Sequence, residues 1–126
     1  MIIDTSAAVA ILRGEPETDD FRARLESSRV VQMSAGSVLE LAMVIGRADP
    51  GLVDQFIEEL GIDVLPVDAE RLRWARHAYQ AYGRGSGSSA RLSYGDCLAY
   101  GAARATGQPL LFKGEDFRHT DLEPMP

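Results

Sequence analysis

The sequence predicts an α/β fold: a parallel sheet of about four strands flanked by helices, in a single domain over residues 1–126. Short apolar runs alternate along the whole chain with segments of helical periodicity, the pattern of strands joined by helical crossovers. Nearly every junction carries a capping or breaking residue. The 126 residues, 45% of them hydrophobic, suffice for one core and not for two.

Met1-Ile2-Ile3-Asp4 is an apolar run ending in an acid and reads as a buried strand. Thr5 or Ser6 caps a helix over Ala7 to Leu12, and Gly14 and Pro16 break the chain after it. A second helix, Glu17 to Ser27, places Phe21 and Leu25 on one face. Arg29 to Met33 is the next strand. Ser34 then caps a helix that runs through Ile45 and stops at Gly46 and Asp49-Pro50-Gly51. Leu52, Phe56 and Leu60 share a face of a fourth helix, closed by Gly61. Ile62 to Val67 is a third strand, which Pro66 marks as short or at an edge.

Asp68 caps a longer helix carrying Leu72, Ala75, Tyr79 and Tyr82, a face suited to core or dimer contact, with Trp74 off the stripe. The run Gly83-Arg84-Gly85-Ser86-Gly87-Ser88-Ser89 is of low complexity and reads as a flexible loop, since too little chain follows for a second domain. A helix from about Tyr94 to Thr106 ends at Gly107, and Leu110 to Phe112 is the last strand. The tail, Asp121 to Pro126, is expected to be poorly ordered.

Composition excludes several classes. A net charge of −6 argues against a surface that binds nucleic acid over its whole extent, though not against a local basic patch or a metal-filled acidic site. Arg dominates the basic residues, with Lys113 the one lysine, and Arg suits both phosphates and carboxylates. A single cysteine, Cys97, makes no internal disulfide, has no zinc-ligand spacing around it, and reads as a small core residue. His77 and His119 read as structural or surface residues. With no secretion signal and no apolar run of membrane-spanning length, a cytoplasmic protein is expected.

In sheets of this kind, ligands bind outside the carboxyl ends of the strands. Four acids occupy such positions. Asp4 ends the first strand, Glu40 lies two turns into the helix after the second, Asp96 opens the helix leading to the last strand, and Asp116 follows that strand. Asp4 and Asp116 also read as helix caps, and Ser93-x-x-Asp96 as a capping box. Glu40 lies in Val38-Leu39-Glu40-Leu41-Ala42-Met43-Val44-Ile45, where a buried, unpaired carboxylate would cost several kcal/mol, so it is partly exposed or it meets a cation. Hard divalent cations take oxygen ligands, and Mg²⁺ uses one or two carboxylates plus water and substrate phosphate. Carboxylates around such an ion suit phosphodiester hydrolysis, a chemistry with no need of a catalytic His.

Together Met1-Ile2-Ile3-Asp4-Thr5-Ser6-Ala7, Glu40 in its apolar helix, Tyr94-Gly95-Asp96-Cys97-Leu98-Ala99-Tyr100 and Leu111-Phe112-Lys113-Gly114-Glu115-Asp116-Phe117 resemble a PIN domain. More narrowly the chain resembles the VapC-type toxins of bacterial toxin–antitoxin pairs, in order and over nearly its whole length. The resemblance implies a Mg²⁺- or Mn²⁺-dependent endoribonuclease with Asp4, Glu40, Asp96 and Asp116 as the acidic site. It further implies Asp4 and Asp96 as metal ligands, and Ser6 as a hydroxyl supporting the first Asp or a water. A homodimer and inhibition by a VapB-type antitoxin, whose C-terminal segment puts a basic side chain into the acidic site, are also implied. Two places depart from the pattern: Gly87-Ser88-Ser89 stands where relatives carry a basic-His-Pro run, and Ser93 where they carry Asn. Asp116 is preferred over Glu115 because it directly precedes Phe117.

The expected mechanism has Asp4 and Asp96 holding the ion, Asp116 nearby, and Glu40 orienting an attacking water. Arg84 and Arg91, which flank the Gly/Ser loop, are candidates for phosphate contact. A receiver-like phosphoacceptor domain is the rival reading, with Asp68 and Lys113 in the leading roles, but it leaves Glu40 and Asp96 unexplained and lacks a paired acid beside Asp4. A non-catalytic PIN-like binding module is a third reading.

Overall fold

Two isoleucines make the centre of the sheet. In the computed structural model, which describes residues 1–123, β1 (Ile2–Ile3) pairs with β2 (Gln32–Ser34) on one side and β4 (Leu110–Leu111) on the other. β3 (Asp63–Leu65) lies outside β2, so the order is β3-β2-β1-β4 with all strands parallel. Parallel neighbours need crossovers. These are α1 (Thr5–Leu12) and α2 (Thr18–Glu26), then α3 (Ala35–Ile45) and α4 (Leu52–Leu60), then α5 (Ala69–Tyr82) and α6 (Tyr94–Thr106). A 3₁₀ turn, Asp116–His119, follows β4. The expected α/β class, with four strands and flanking helices, is the observed one.

Successive strand residues point to opposite faces. Ile2 accordingly joins the core under α5 and α6, with Tyr100, Leu98 and Leu110, while Ile3 joins the core under α1 to α4, with Met33, Leu41, Phe56 and Leu111. Both isoleucines are fully buried, and Cys97 is a buried member of the first core. Pro66 does follow an edge strand.

Several local expectations are corrected. Asp4, not Thr5 or Ser6, caps α1, which therefore begins two residues early. β2 ends on Ser34, which also caps α3 by accepting the Gly36 N–H at 3.3 Å. In α5 the buried stripe is Ala75 and Ala78, with Trp74 and Tyr82 packed at its margin, while Leu72 and Tyr79 face water. The reason is α6: a Cβ on Gly101 would stand 2.6 Å from the Arg71 carbonyl, so the two helices meet over small residues. The Gly/Ser loop is closed at its base by Leu92 N–H to Tyr82 C=O (2.8 Å) and Arg84 N–H to Leu92 C=O (3.2 Å), with Ala90 fully buried beneath it. At the start of the expected tail, Asp121 accepts the Tyr100 hydroxyl at 2.8 Å and Leu122 packs on the core. Residues 124–126 of the expected loose tail lie outside the described residues. Among the described residues, no helix is long and apolar enough to cross a membrane.

Candidate active site: an acidic cleft at the strand ends

β1 stops after Ile3 because Asp4 turns the chain into α1 with its own side chain. The Ser6 N–H and hydroxyl both donate to Asp4 Oδ2, at 3.0 and 2.6 Å. Ser6 Oγ in turn accepts the N–H of Lys113 at 2.9 Å, which ties the chain beyond β4 to the same carboxylate. The helix cap thus consumes one oxygen of Asp4. The other, Oδ1, is buried without a hydrogen-bond partner.

The Thr5 hydroxyl donates to the Ser37 carbonyl at 3.2 Å, holding α1 against the first turn of α3. Glu40 lies one turn further along α3. Its carboxylate rests against Gly95 at the start of α6, where an added Cβ would come within 2.2 Å of Glu40 Oε2. Next to Gly95, Asp96 completes a capping box, its Oδ2 accepting the Ser93 N–H at 2.9 Å while Ser93 Oγ accepts the Asp96 N–H at 3.3 Å. Three elements therefore deliver three acids to one place.

Asp4, Glu40 and Asp96 line one open cleft of about 420 Å³, together with Ser6, Glu15 and Lys113. Asp4 is only 3% exposed. Burial raises its pKa from 3.8 to about 6; the two Ser6 hydrogen bonds oppose that shift, and the charges of Asp96 and Glu40 reinforce it. A buried carboxylate in that state, with an orphaned oxygen and two acids as neighbours, fits a cation better than it fits any proton donor of the chain. Among the described residues, no three His, Cys, Asp or Glu side chains converge closely enough to hold an ion unaided. Two carboxylates, with water and substrate oxygens completing the shell, is the mode open to Mg²⁺.

The capping readings of Asp4 and Asp96 are thus realised without closing off the cleft. Glu40 is half-buried, and the apolar sequence around it is no core: Leu39 and Met43 are exposed, because α3 buries only Ser37 and Leu41. Burial alone therefore gives no reason for a cation at Glu40. Asp116 is exposed in the 3₁₀ turn and is not among the residues lining the cleft. Arg84 and Arg91 are exposed at the two sides of the closed loop, Arg91 with a φ of +50°, and neither lines the cleft. Asp68, the rival reading's acceptor, caps α5 instead and takes the Arg71 guanidinium at 2.7 Å. Sequence reasoning passed over Glu15, hidden between two chain-breaking residues, and gave Lys113 a place only in the rival.

The PIN domain model matches residues 1–123. Ribonuclease VapC42 of Mycobacterium tuberculosis is 47% identical over 128 residues, covering 98% of both chains. Ribonuclease VapC30 of the same organism is 46% identical over 126 residues, covering 97% of this chain and 95% of that one. Among solved structures, VapC20 of M. tuberculosis, described as a sarcin-ricin loop cleaving toxin, superposes with a TM-score of 0.74 at 17% identity. That likeness covers 97% of this chain and 95% of that one, and it bears on the fold alone.

Proposed function

The chain belongs to the PIN-domain family, in its VapC branch, and from that premise we propose that it is a Mg²⁺- or Mn²⁺-dependent endoribonuclease, the toxin of a toxin–antitoxin pair. The observation that carries the reading is the buried Asp4, its Oδ1 without a partner, in a cleft shared with Glu40 and Asp96.

Asp4 and Asp96 are the residues that would hold the ion. A divalent cation supplies Lewis acidity to the scissile phosphate and lowers the pKa of water. Ser6 fixes Asp4 through Oδ2, so that Oδ1 is the oxygen left to coordinate. Glu40, held over Gly95, accepts a proton from the attacking water and orients it. Asp116, and Arg84 and Arg91 as phosphate contacts, enter on the family resemblance and on charge. The preference for RNA rests on the relatives named as ribonucleases.

The reading extends to partners and place: a VapB-type antitoxin, a homodimer, and action in the cytoplasm. Leu39 and Met43 on α3, and Leu72 and Tyr79 on α5, put apolar surface in water and support assembly with other chains. Calorimetric titration with Mn²⁺ tests the site directly. Wild-type protein is expected to bind the ion and folded Asp4→Asn and Asp96→Asn to lose it; unchanged binding in both variants would remove the metal from this cleft.

A further inference from the structure

Lys113 is the only lysine of the chain and, among the described residues, the only basic side chain lining the acidic cleft. It stands on the wall between that cleft and a second cavity of about 720 Å³, which is bordered by α2 on one side and the segment after β4 on the other. Its backbone is fixed, since its N–H donates to Ser6 Oγ at 2.9 Å and the Ser6 hydroxyl donates to Asp4 Oδ2 at 2.6 Å. Gly114 follows with a φ of +105°, turning the chain away at once. The ammonium end is not buried. The side chain is 39% exposed and pairs with Glu15, which lines the cleft, and with Glu17 at 3.2 Å, which does not.

A phosphodiester entering the cleft faces the carboxylates of Asp4, Glu15, Glu40 and Asp96. One divalent cation offsets two of those charges and leaves the substrate's own charge to be met. Lys113 is the cation built into the lining. An ammonium is a compact charge on a flexible stem with three donors, so it can turn to a phosphate oxygen while keeping one glutamate. Ion pairs between half-exposed groups are weak, and exchanging one glutamate for a phosphate costs little.

Resting on the nuclease reading above, we propose that Lys113 is the substrate-phosphate ligand of this cleft, held between Glu15 and Glu17 until an RNA phosphate displaces one of them. The bland alternative is a clasp that merely fastens the α1–α2 turn to the segment after β4.

The test uses the full chain and a short fluorescein-labelled single-stranded RNA, assayed for binding and for cleavage. It compares Lys113→Ala, Lys113→Arg and the double variant Glu15→Gln/Glu17→Gln. For Lys113→Ala, KM is expected to rise about tenfold, the loss of one charge-assisted hydrogen bond. Its log–log salt dependence of RNA binding, read by anisotropy, should become shallower by about 0.7, one phosphate contact on a single strand. Mn²⁺ affinity should be unchanged. The double variant keeps the ammonium and frees it, so its KM should stay at or below the wild-type value, and Lys113→Arg should retain most of the affinity.

Parallel losses of affinity and thermal stability in Lys113→Ala and the double variant would establish the clasp and overturn the proposal. An unaltered KM and salt slope in Lys113→Ala would overturn it as well. Wild-type protein that binds the RNA without cutting it, with any divalent metal, would sink the nuclease reading while the anisotropy comparison still decides on Lys113. Wild-type protein that neither binds nor cuts would end both.

Discussion

Asp4 divides two tasks between two oxygens. Oδ2 caps α1 and receives both groups of Ser6, while Oδ1 is buried with no partner. Its pKa, raised from 3.8 to about 6, carries a definite sign for stability. The contribution of the protonated form is complete below pH 3.8 and is lost as pH rises through about 6, with a ceiling of about 3 kcal/mol. Metal-free Asp4→Asn should therefore melt above metal-free wild type at pH 7.5, and the difference should vanish by about pH 4; scanning fluorimetry across that range checks it. Equal melting temperatures at every pH would deny the strained carboxylate. Ser6→Ala removes a donor to Asp4 and the acceptor for the Lys113 N–H, and should cost about 1–3 kcal/mol in chemical denaturation. At this scale the positions of Asp4 and Asp96 were legible in the sequence, because one ends a strand and the other opens a helix, whereas Glu40 stood out only by its apolar neighbours, most of which are surface. Lys113 was not legible, because its partner Glu15 lies 98 positions away and no local pattern joins them.

The elements bring these residues together through close approaches that only glycine permits. Gly95→Ala would drive a Cβ within 2.2 Å of Glu40 Oε2, the movable end of a side chain. The fold should survive and α6 should gain helix propensity, while RNA cleavage falls at least about tenfold through displacement of Glu40. Gly101→Ala meets immobile backbone instead, the Arg71 carbonyl at 2.6 Å, and should cost about 1–3 kcal/mol of stability. If the two substitutions acted alike on melting temperature, the distinction between site and scaffold would be mistaken. Existence and order of the elements were legible from caps and breakers such as Gly61, Asp68 and Gly107. The buried face of α5 was not, since larger apolar residues marked the wrong stripe where helix contact demanded Ala75 and Gly101. Nor was the environment of α3, whose apolar sequence is largely surface.

On the scale of the whole molecule, the strand order β3-β2-β1-β4 puts β1 at the centre, so that α3 from one neighbour and the segment beyond the other flank Asp4. Alternation of strands and helices foretold a parallel sheet with its site at the strand ends. The order itself depends on pairings such as Ile2 with both Gln32 and Leu110, which no local signal encodes. Such a sheet gathers acids from distant parts of the chain, and their joint chemistry is metal-dependent RNA cleavage as proposed above. The measurement that reaches it most directly is cleavage of total cellular RNA by the purified protein with Mn²⁺, with chelator, and with Asp96→Asn in place of wild type. Cutting at discrete sites that requires the metal and disappears in the folded variant is the expected result. Cutting that persists in chelator or in Asp96→Asn, or a folded, metal-binding wild-type protein that leaves RNA intact, would contradict it.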